Sequence, residues 1–194
     1  WCCLVGSEMC IRDSPIDGYC GIEGNLTIEN TASLEDFSEF SVIESISKTL
    51  IIDSNSALTT TEGFSALEEV GRDIRIKSNS VLVIVTGFDS VTSMRSLYVT
   101  ENSSLETIEG FNLWPGSSDS GARVYIYKNT NLTTLTGFEE VTELGYIFGL
   151  QSLSNLQELD AFQALETVGS SLTIRSTGLT SIDLPSLKSV GGDF

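Results

Sequence analysis

Residues 24–30 read GNLTIEN, a stretch in which Leu26 and Ile28 alternate with polar residues. The same alternating pair returns six more times, at Leu50/Ile52, Ile74/Ile76, Leu97/Val99, Val124/Ile126, Phe148/Leu150 and Leu172/Ile174. Successive pairs are 24, 24, 23, 27, 24 and 24 residues apart. Such alternation is typical of a β-strand with one buried face, so the chain is predicted to hold seven short strands at a regular period.

Further apolar columns recur at fixed distances after each pair. Leucine follows six residues later, at Leu34, Leu58, Leu82, Leu105, Leu132 and Leu156. An aromatic residue or leucine comes next, at Phe40, Phe64, Phe88, Phe111, Phe138, Phe162 and Leu184. Two more apolar columns follow at intervals of three residues, which suits short extended segments and turns and not long helices. One coil cannot bury its own apolar side, whereas stacked coils share a core. We therefore predict an all-β, right-handed parallel β-helix of seven coils of about 24 residues.

Two polar columns mark the turns of each coil. Asn55, Asn79, Asn102 and Asn129 each follow a strand pair by three residues, where stacked amides can satisfy backbone groups of the bend. Gly63, Gly87, Gly110 and Gly137 precede the phenylalanines, where the turn is predicted to need positive φ. Both columns are interpreted as structural.

The repeat Leu-x-Ile-x2-Asn-x2-Leu-x4-Gly-Phe-x2-Leu-x2-Val resembles the receptor L-domain family. Residues 20–28, CGIEGNLTI, are similar to the family's entry into its first strand, Cys-x2-Ile-x-Gly-x-Leu-x-Ile. The resemblance covers residues 20–194 and implies a leucine-rich-repeat-like fold that binds a ligand at a cell surface. The seven coils and the lack of internal cysteines favour a surface-protein branch over a growth-factor receptor. The ordinary leucine-rich-repeat pattern remains an alternative.

The sequence at each end of the chain leads to a separate prediction. Residues 4–13, LVGSEMCIRD, resemble a translated sequencing adapter, so residues 1–14 are predicted to be a non-native artefact. A cysteine-rich native N-terminus or a damaged signal peptide is the alternative. Residues 15–194 are then one L-domain-like solenoid, predicted to be truncated at the C-terminus because residues 190–194 reach the start of an eighth strand and stop. On this interpretation Cys20 is the one native cysteine, and its disulfide partner is expected to be missing.

Composition excludes several functions. The formal net charge of −17 would repel a polyphosphate backbone, so no nucleic-acid partner is expected. The chain has no histidine, the commonest general base and metal ligand, and we predict no catalytic residue, cofactor or metal site. No stretch approaches the roughly 20 apolar residues of a membrane span, so no membrane insertion is expected. Glu29 and Asp53, one strand spacing apart, could suit a retaining glycosidase, but no cleft is evident beside them.

The residues that alternate with the buried pair are predicted to face solvent in two columns. These are Thr27, Ile51, Arg75, Tyr98, Tyr125, Gly149 and Thr173, and Glu29, Asp53, Lys77, Thr100, Tyr127, Gln151 and Arg175. Tyrosine and arginine are frequent hot-spot residues at interfaces. We predict that a protein or carbohydrate ligand binds at Arg75, Lys77, Tyr98, Tyr125 and Tyr127. The alternative is a solvated face of ordinary strand formers.

Two other features bear on the surface. The stretch 115–122, PGSSDSGA, accounts for the 27-residue step and is expected to bulge outward, as a binding loop or as a tolerated insertion. Trp114 before it is interpreted as a core residue. Three glycosylation sequons begin at Asn25, Asn102 and Asn131. Because Asn102 belongs to the structural column, Asn25 and Asn131 are the glycosylation candidates.

Taken together, the sequence predicts a non-enzymatic recognition module, extracellular or at the cell surface, of unknown oligomeric state. A structural cell-wall or adhesin-type protein is the alternative. A polysaccharide-active β-helix enzyme is the less favoured one.

Overall fold

A computed structural model describes residues 12–13 and 20–192 of the 194-residue chain. In chain order the strands are β1 (Arg12–Asp13), β2 (Cys20–Ile22), β3 (Leu26–Glu29), β4 (Ile43–Ile46), β5 (Leu50–Asp53), β6 (Glu69–Val70), β7 (Asp73–Lys77), β8 (Ile84–Val85), β9 (Ser96–Thr100), β10 (Thr107–Ile108), β11 (Gly116–Ser117), β12 (Arg123–Tyr127), β13 (Thr134–Leu135), β14 (Glu143–Leu144), β15 (Ile147–Leu153), β16 (Thr167–Val168), β17 (Ser171–Thr177) and β18 (Ser189–Val190). A single turn of 3₁₀ helix spans Ser38–Phe40.

The longest strands form one seven-stranded parallel sheet, in the order β3-β5-β7-β9-β12-β15-β17. Each coil contributes one strand to this sheet, and strands of neighbouring coils pair in register. Leu26, for example, lies beside Leu50, which lies beside Ile74. The predicted parallel solenoid of about seven turns of roughly 24 residues is confirmed.

Shorter strands build the other sides of the solenoid. A three-stranded parallel sheet joins β8, β10 and β13, and a four-stranded parallel sheet joins β11, β14, β16 and β18. A further sheet runs β1-β2-β4-β6, in which β1 pairs antiparallel with β2. The segment Arg12–Asp13 falls within the residues predicted to be non-native, and that boundary stays a prediction. The remainder of residues 1–14 lies outside the described part of the chain.

The core is built from the columns that the sequence repeats. The paired residues of the first six coils point inward and are almost fully buried, with Ile28 the most exposed of them at 8%. Stacked phenylalanine rings form a further column of the core, at Phe64, Phe88, Phe111, Phe138 and Phe162, with centroids 4.5 to 5.5 Å apart. Trp114 is also fully buried, which confirms that it is a core residue. Its indole N–H donates to the carbonyl of Met94 at 3.0 Å.

Buried asparagines form a ladder at one corner of the solenoid. The backbone N–H of Asn55 donates to Oδ1 of Asn79 at 2.9 Å, and that of Asn79 donates to Oδ1 of Asn102 at 2.9 Å. The N–H of Asn102 donates to Oδ1 of Asn129 at 3.0 Å. Each side-chain amide also donates to a strand carbonyl of a neighbouring coil, such as Ile28 for Asn55. The structural role predicted for this column is confirmed.

In all seven coils the residue just before this corner position adopts positive φ, although none of these residues is glycine. The set is Asn30, Ser54, Ser78, Glu101, Lys128, Ser152 and Ser176, with φ between 54° and 60°. Left-handed backbone costs roughly 1–2 kcal/mol for such residues. Stacking therefore imposes the corner on every coil. The glycines Gly63, Gly87, Gly110 and Gly137 also have positive φ, as predicted.

Two expectations are corrected. The stretch 115–122 does not bulge as a whole, because Gly116–Ser117 forms β11 beside β14 and Ala122 is fully buried. Four residues of this stretch are exposed: Pro115, Ser118, Asp119 and Ser120. Cys20 is disulfide-bonded, so the expectation that its partner is missing is wrong. That partner lies outside the described residues.

Candidate functional site

The outward side of the seven-stranded sheet, here called the outer face, brings the five predicted ligand-binding residues together. In-register pairing sets Arg75 beside Tyr98 and Tyr98 beside Tyr125. It likewise aligns Lys77, Thr100 and Tyr127 across the same three strands. Neighbouring strands lie about 4.8 Å apart, so these side chains share a patch spanning β7, β9 and β12. The two predicted outward columns are exposed or half-buried along the sheet, except at Gly149, which is buried.

Arg75 is held in place by a buried carboxylate. Its Nη2 donates to Oδ2 of Asp73 at 2.7 Å, and the Asp73 side chain is only 1% exposed. Arg95 reaches back from the next coil and donates to the same carboxylate from Nε at 3.0 Å and from Nη2 at 3.1 Å. The guanidinium carbon of Arg75 lies 5.1 Å from the ring centroid of Tyr98, within cation–π range. Half of the Arg75 side chain still faces solvent.

A second cluster of charges lies at the end of the neighbouring strands. Nζ of Lys77 is 3.9 Å from one carboxylate oxygen of Glu101, and Nζ of Lys128 is 3.5 Å from the other. Lys128 also lies 5.0 Å from the ring centroid of Tyr127. Its interaction with Tyr127, and then with Glu101, raises the pKa of Lys128 above its ordinary value. A lysine ammonium is already charged near neutral pH, and this shift extends its charged range to higher pH.

The other two tyrosines of the patch, Tyr125 and Tyr127, lie on strand β12. The rings of Tyr125 and Tyr127 stack with centroids 5.7 Å apart and planes inclined by 27°. Tyr125 covers Gly149 on the next strand, where an added Cβ would come within 2.7 Å of the tyrosine Cδ2. The absence of a side chain at Gly149 thus gives the Tyr125 ring its place.

A shallow depression of about 240 Å³ opens in this patch, lined by Arg75, Ile76, Lys77, Tyr98 and Thr100. A larger depression of about 460 Å³ lies away from the outer face and contains three carboxylates, those of Asp36, Glu62 and Asp89. The backbone N–H of Ser38 lowers the pKa of Asp36 there. Size alone would select the second depression, but its lining contains no cation or aromatic ring, so we take the outer face as the candidate site.

Several residues of the site were missed by the sequence analysis. A third outward column exists, in which Asp73 pairs with Ser96 and Arg123 pairs with Ile147. The guanidinium carbon of Arg123 lies 4.7 Å from the ring centroid of Tyr146. The period-two alternation that placed Arg75 and Lys77 on the outer face places Asp73, two residues earlier, on the same face. This alternation could have identified Asp73 from the sequence.

The glycosylation candidates lie where a glycan could attach. Asn25 and Asn131 are both exposed. Asn102 is fully buried, and its side-chain amide donates to the carbonyl of Ile76 at 3.1 Å. Use of either exposed sequon stays a prediction.

Glu29 and Asp53 are aligned on adjacent strands, as expected. Lys77, in register with Asp53 on the other side, forms its ion pair with Glu101. Within residues 12–13 and 20–192, no group of three or more His, Cys, Asp or Glu side chains is arranged to hold a metal ion. The same described part of the chain contains no helix with the length and apolar character of a membrane span.

The sequence that forms these coils matches a known protein family. The Receptor L domain family matches residues 20–139, which include β2 to β13 and all five predicted ligand-binding residues. The chain belongs to the receptor L-domain family. Receptor L domains are ligand-binding, non-catalytic modules of receptors. Here the same coils continue past the matched segment, through β14 to β18. Neither the curated proteins nor the solved structures contain a match to the chain.

Proposed function

We propose that this receptor L domain is an extracellular recognition module that binds a protein ligand on its outer face, through Arg75, Lys77, Tyr98, Tyr125 and Tyr127. The observation that carries the proposal is the convergence of these five side chains on three adjacent strands, β7, β9 and β12. Tyrosine provides a large contact area with few rotatable bonds, and tyrosine and arginine are both enriched among the residues that dominate binding energies at protein interfaces.

The shape of the outer face favours a protein ligand. Seven strands at about 4.8 Å spacing and five residues at about 3.3 Å rise make a surface of roughly 29 by 16 Å. The depression within it, about 240 Å³, is open to solvent. Small-molecule sites instead enclose their ligands in deeper clefts. A broad, shallow surface fits the surface of another protein.

The patch is also ordered before any ligand arrives. Asp73 fixes the guanidinium of Arg75, and the ring of Tyr125 packs on Gly149 and Tyr127. Association loses less conformational entropy when the contacting side chains are already held in place. The rigid sheet below them does not need to rearrange.

The extracellular location is supported by the two exposed glycosylation sequons. Exposed sequons at Asn25 and Asn131 are compatible with passage through a secretory pathway.

The proposal is tested with binders selected from a displayed library of extracellular proteins of the source organism. Binders of the unmodified chain are measured again with Arg75→Ala/Tyr125→Ala. We expect affinity to fall by about a hundredfold, since two hot-spot truncations together cost about 3 kcal/mol. The matched control, Lys188→Ala/Leu113→Ala, removes an exposed cation and an exposed apolar residue outside the outer face. Equal binding by both variants would reject the outer face as the site, and binders confined to wall polysaccharides would favour the adhesin alternative.

A further inference from the structure

The charge of the outer face runs against that of the whole protein. The chain carries 27 acidic and 10 basic residues. Yet the two exposed outward columns from β7 to β17 contain Arg75, Lys77 and Arg175 and no carboxylate. The third outward column adds Arg123, and its one carboxylate over these strands, Asp73, is covered.

Two of the carboxylates that approach this region are each shared between two cations, whereas Asp53 lies in register with Lys77 on the neighbouring strand β5. Asp73 is bound by Arg75 and Arg95, and Glu101 lies between Lys77 and Lys128. Each cluster therefore keeps one positive charge in excess. Arg75, Lys77 and Lys128 are each about half accessible to solvent, and two of these cations, Arg75 and Lys77, share strand β7. They stand two residues apart on one strand, with Cα atoms roughly 7 Å from each other.

From this arrangement, and resting on the function proposed above, we infer that the ligand of the outer face is an acidic protein surface, whose carboxylates bind Arg75 and Lys77. Arg75 offers a guanidinium already oriented by Asp73, and Lys77 offers a compact ammonium beside it. The ring of Tyr98 and the hydroxyl of Thr100 line the depression between them.

A peptide could not bind here by adding a strand, because β7 and β9 are each paired on both sides. Recognition must therefore proceed through side chains. An acidic protein surface supplies carboxylates on a rigid frame, which suits two fixed cations on a flat sheet. The boundary of the region is also defined, since Glu29 and Asp53 make the outer face acidic at β3 and β5.

Local and global charge act over different distances. At an ionic strength of about 0.15 M the screening length is about 8 Å, comparable with the separation of Arg75 and Lys77. A ligand on the outer face then senses these cations more strongly than the distant acidic residues. Binding is accordingly best measured at this ionic strength.

The test uses immobilised poly-L-glutamate as the probe, with polygalacturonate as a carboxylate polymer of a different class. We expect the unmodified chain to bind poly-L-glutamate, and Arg75→Gln/Lys77→Gln to bind it about tenfold more weakly, as two partly exposed ion pairs require. The matched control is Lys48→Gln/Lys188→Gln, which changes the net charge equally at exposed positions outside this patch. Thermal melting checks that all variants are folded.

Three outcomes would overturn the inference. They are no binding of poly-L-glutamate by the unmodified chain, equal losses in the two glutamine variants, and binding of polygalacturonate alone. Failure of the broader proposal is separated with the library-selected binders. Binders that are lost with Tyr125→Ala/Tyr127→Ala but unaffected by Arg75→Gln/Lys77→Gln would keep the outer face as the site and reject an acidic ligand.

Discussion

Strands β5 and β7 lie side by side in one sheet, yet they present different chemistry to solvent. Their outward residues are Ile51 and Asp53 on β5 against Arg75 and Lys77 on β7. Their inward residues, Leu50 and Ile52 beside Ile74 and Ile76, are equivalent and fully buried. The inner columns are thus held constant by packing, while the outer columns are free to change. The outward chemistry can therefore differ from one coil to the next while the core stays the same.

Phe88→Ala, on the inner side, should reduce the free energy of unfolding more than the other substitutions below. The ring of Phe88 stacks between Phe64 and Phe111 at 5.5 and 5.1 Å and is fully buried. We expect a loss of about 4 kcal/mol in the free energy of unfolding, measured by urea denaturation. Tyr98→Ala, on the outer face of the neighbouring coil, should cost about 1 kcal/mol or less. Similar losses for the two variants would contradict the division between inner and outer columns.

The corner ladder should be the next most sensitive element. Asn79→Ala removes the acceptor for the backbone N–H and the side-chain amide of Asn55. Leaving these buried donors unpaired should lower the free energy of unfolding by about 3 kcal/mol. Asn131→Ala is the control, because Asn131 is exposed. Both proteins are produced without glycosylation, and an unchanged midpoint for Asn79→Ala would argue against a structural ladder.

Asp73→Asn tests whether the orientation of Arg75 matters for binding on the outer face. The substitution removes one negative charge beneath Arg75, so net charge alone would strengthen binding to poly-L-glutamate. We expect weaker binding instead, because Asp73 orients the guanidinium, together with a loss of about 2 kcal/mol in stability. Surface-bound polymer and urea titration give the two readouts. Stronger binding by this variant would show that orientation is unimportant.

The smallest expected effect comes from converting the acidic end of the outer face. Glu29→Lys/Asp53→Lys would extend the basic region across β3 and β5, and affinity for poly-L-glutamate should rise by roughly threefold to tenfold. Glu62→Lys/Asp89→Lys makes the same change in net charge at the larger depression away from the sheet. An equal rise in this control would attribute the effect to net charge.

The sequence was sufficient to predict the fold because each inner column repeats. Leu26 and Ile28 return in seven coils, and a fixed period determines both the strand pairing and the neighbours on the outer face. The approach of Arg75 to Tyr98 followed directly from that register. The match to the receptor L-domain family agrees with this prediction.

Other parts could not be predicted because they depend on contacts between coils. Aspartate is ordinarily a solvent-exposed residue, and the burial of Asp73 depends on Arg95 reaching back from the next coil. Serine seldom adopts positive φ, yet Ser54 does so because the stacked corners require it. The composition of Gly116–Ser117 indicated a loop, whereas its position beside β14 makes it a strand.

The asparagine ladder also determines how the coils open and close together. Each rung receives a hydrogen bond from the preceding coil, so releasing one coil exposes polar groups of the next. The ladder stops at Asn129, since the sixth coil places Leu153 at the equivalent corner. Coils two to five should therefore exchange their amide protons as one cooperative unit, whereas coils six and seven open independently of it. We therefore expect the cooperative unit to end at Leu153, where the hydrogen bonds between corner asparagines stop.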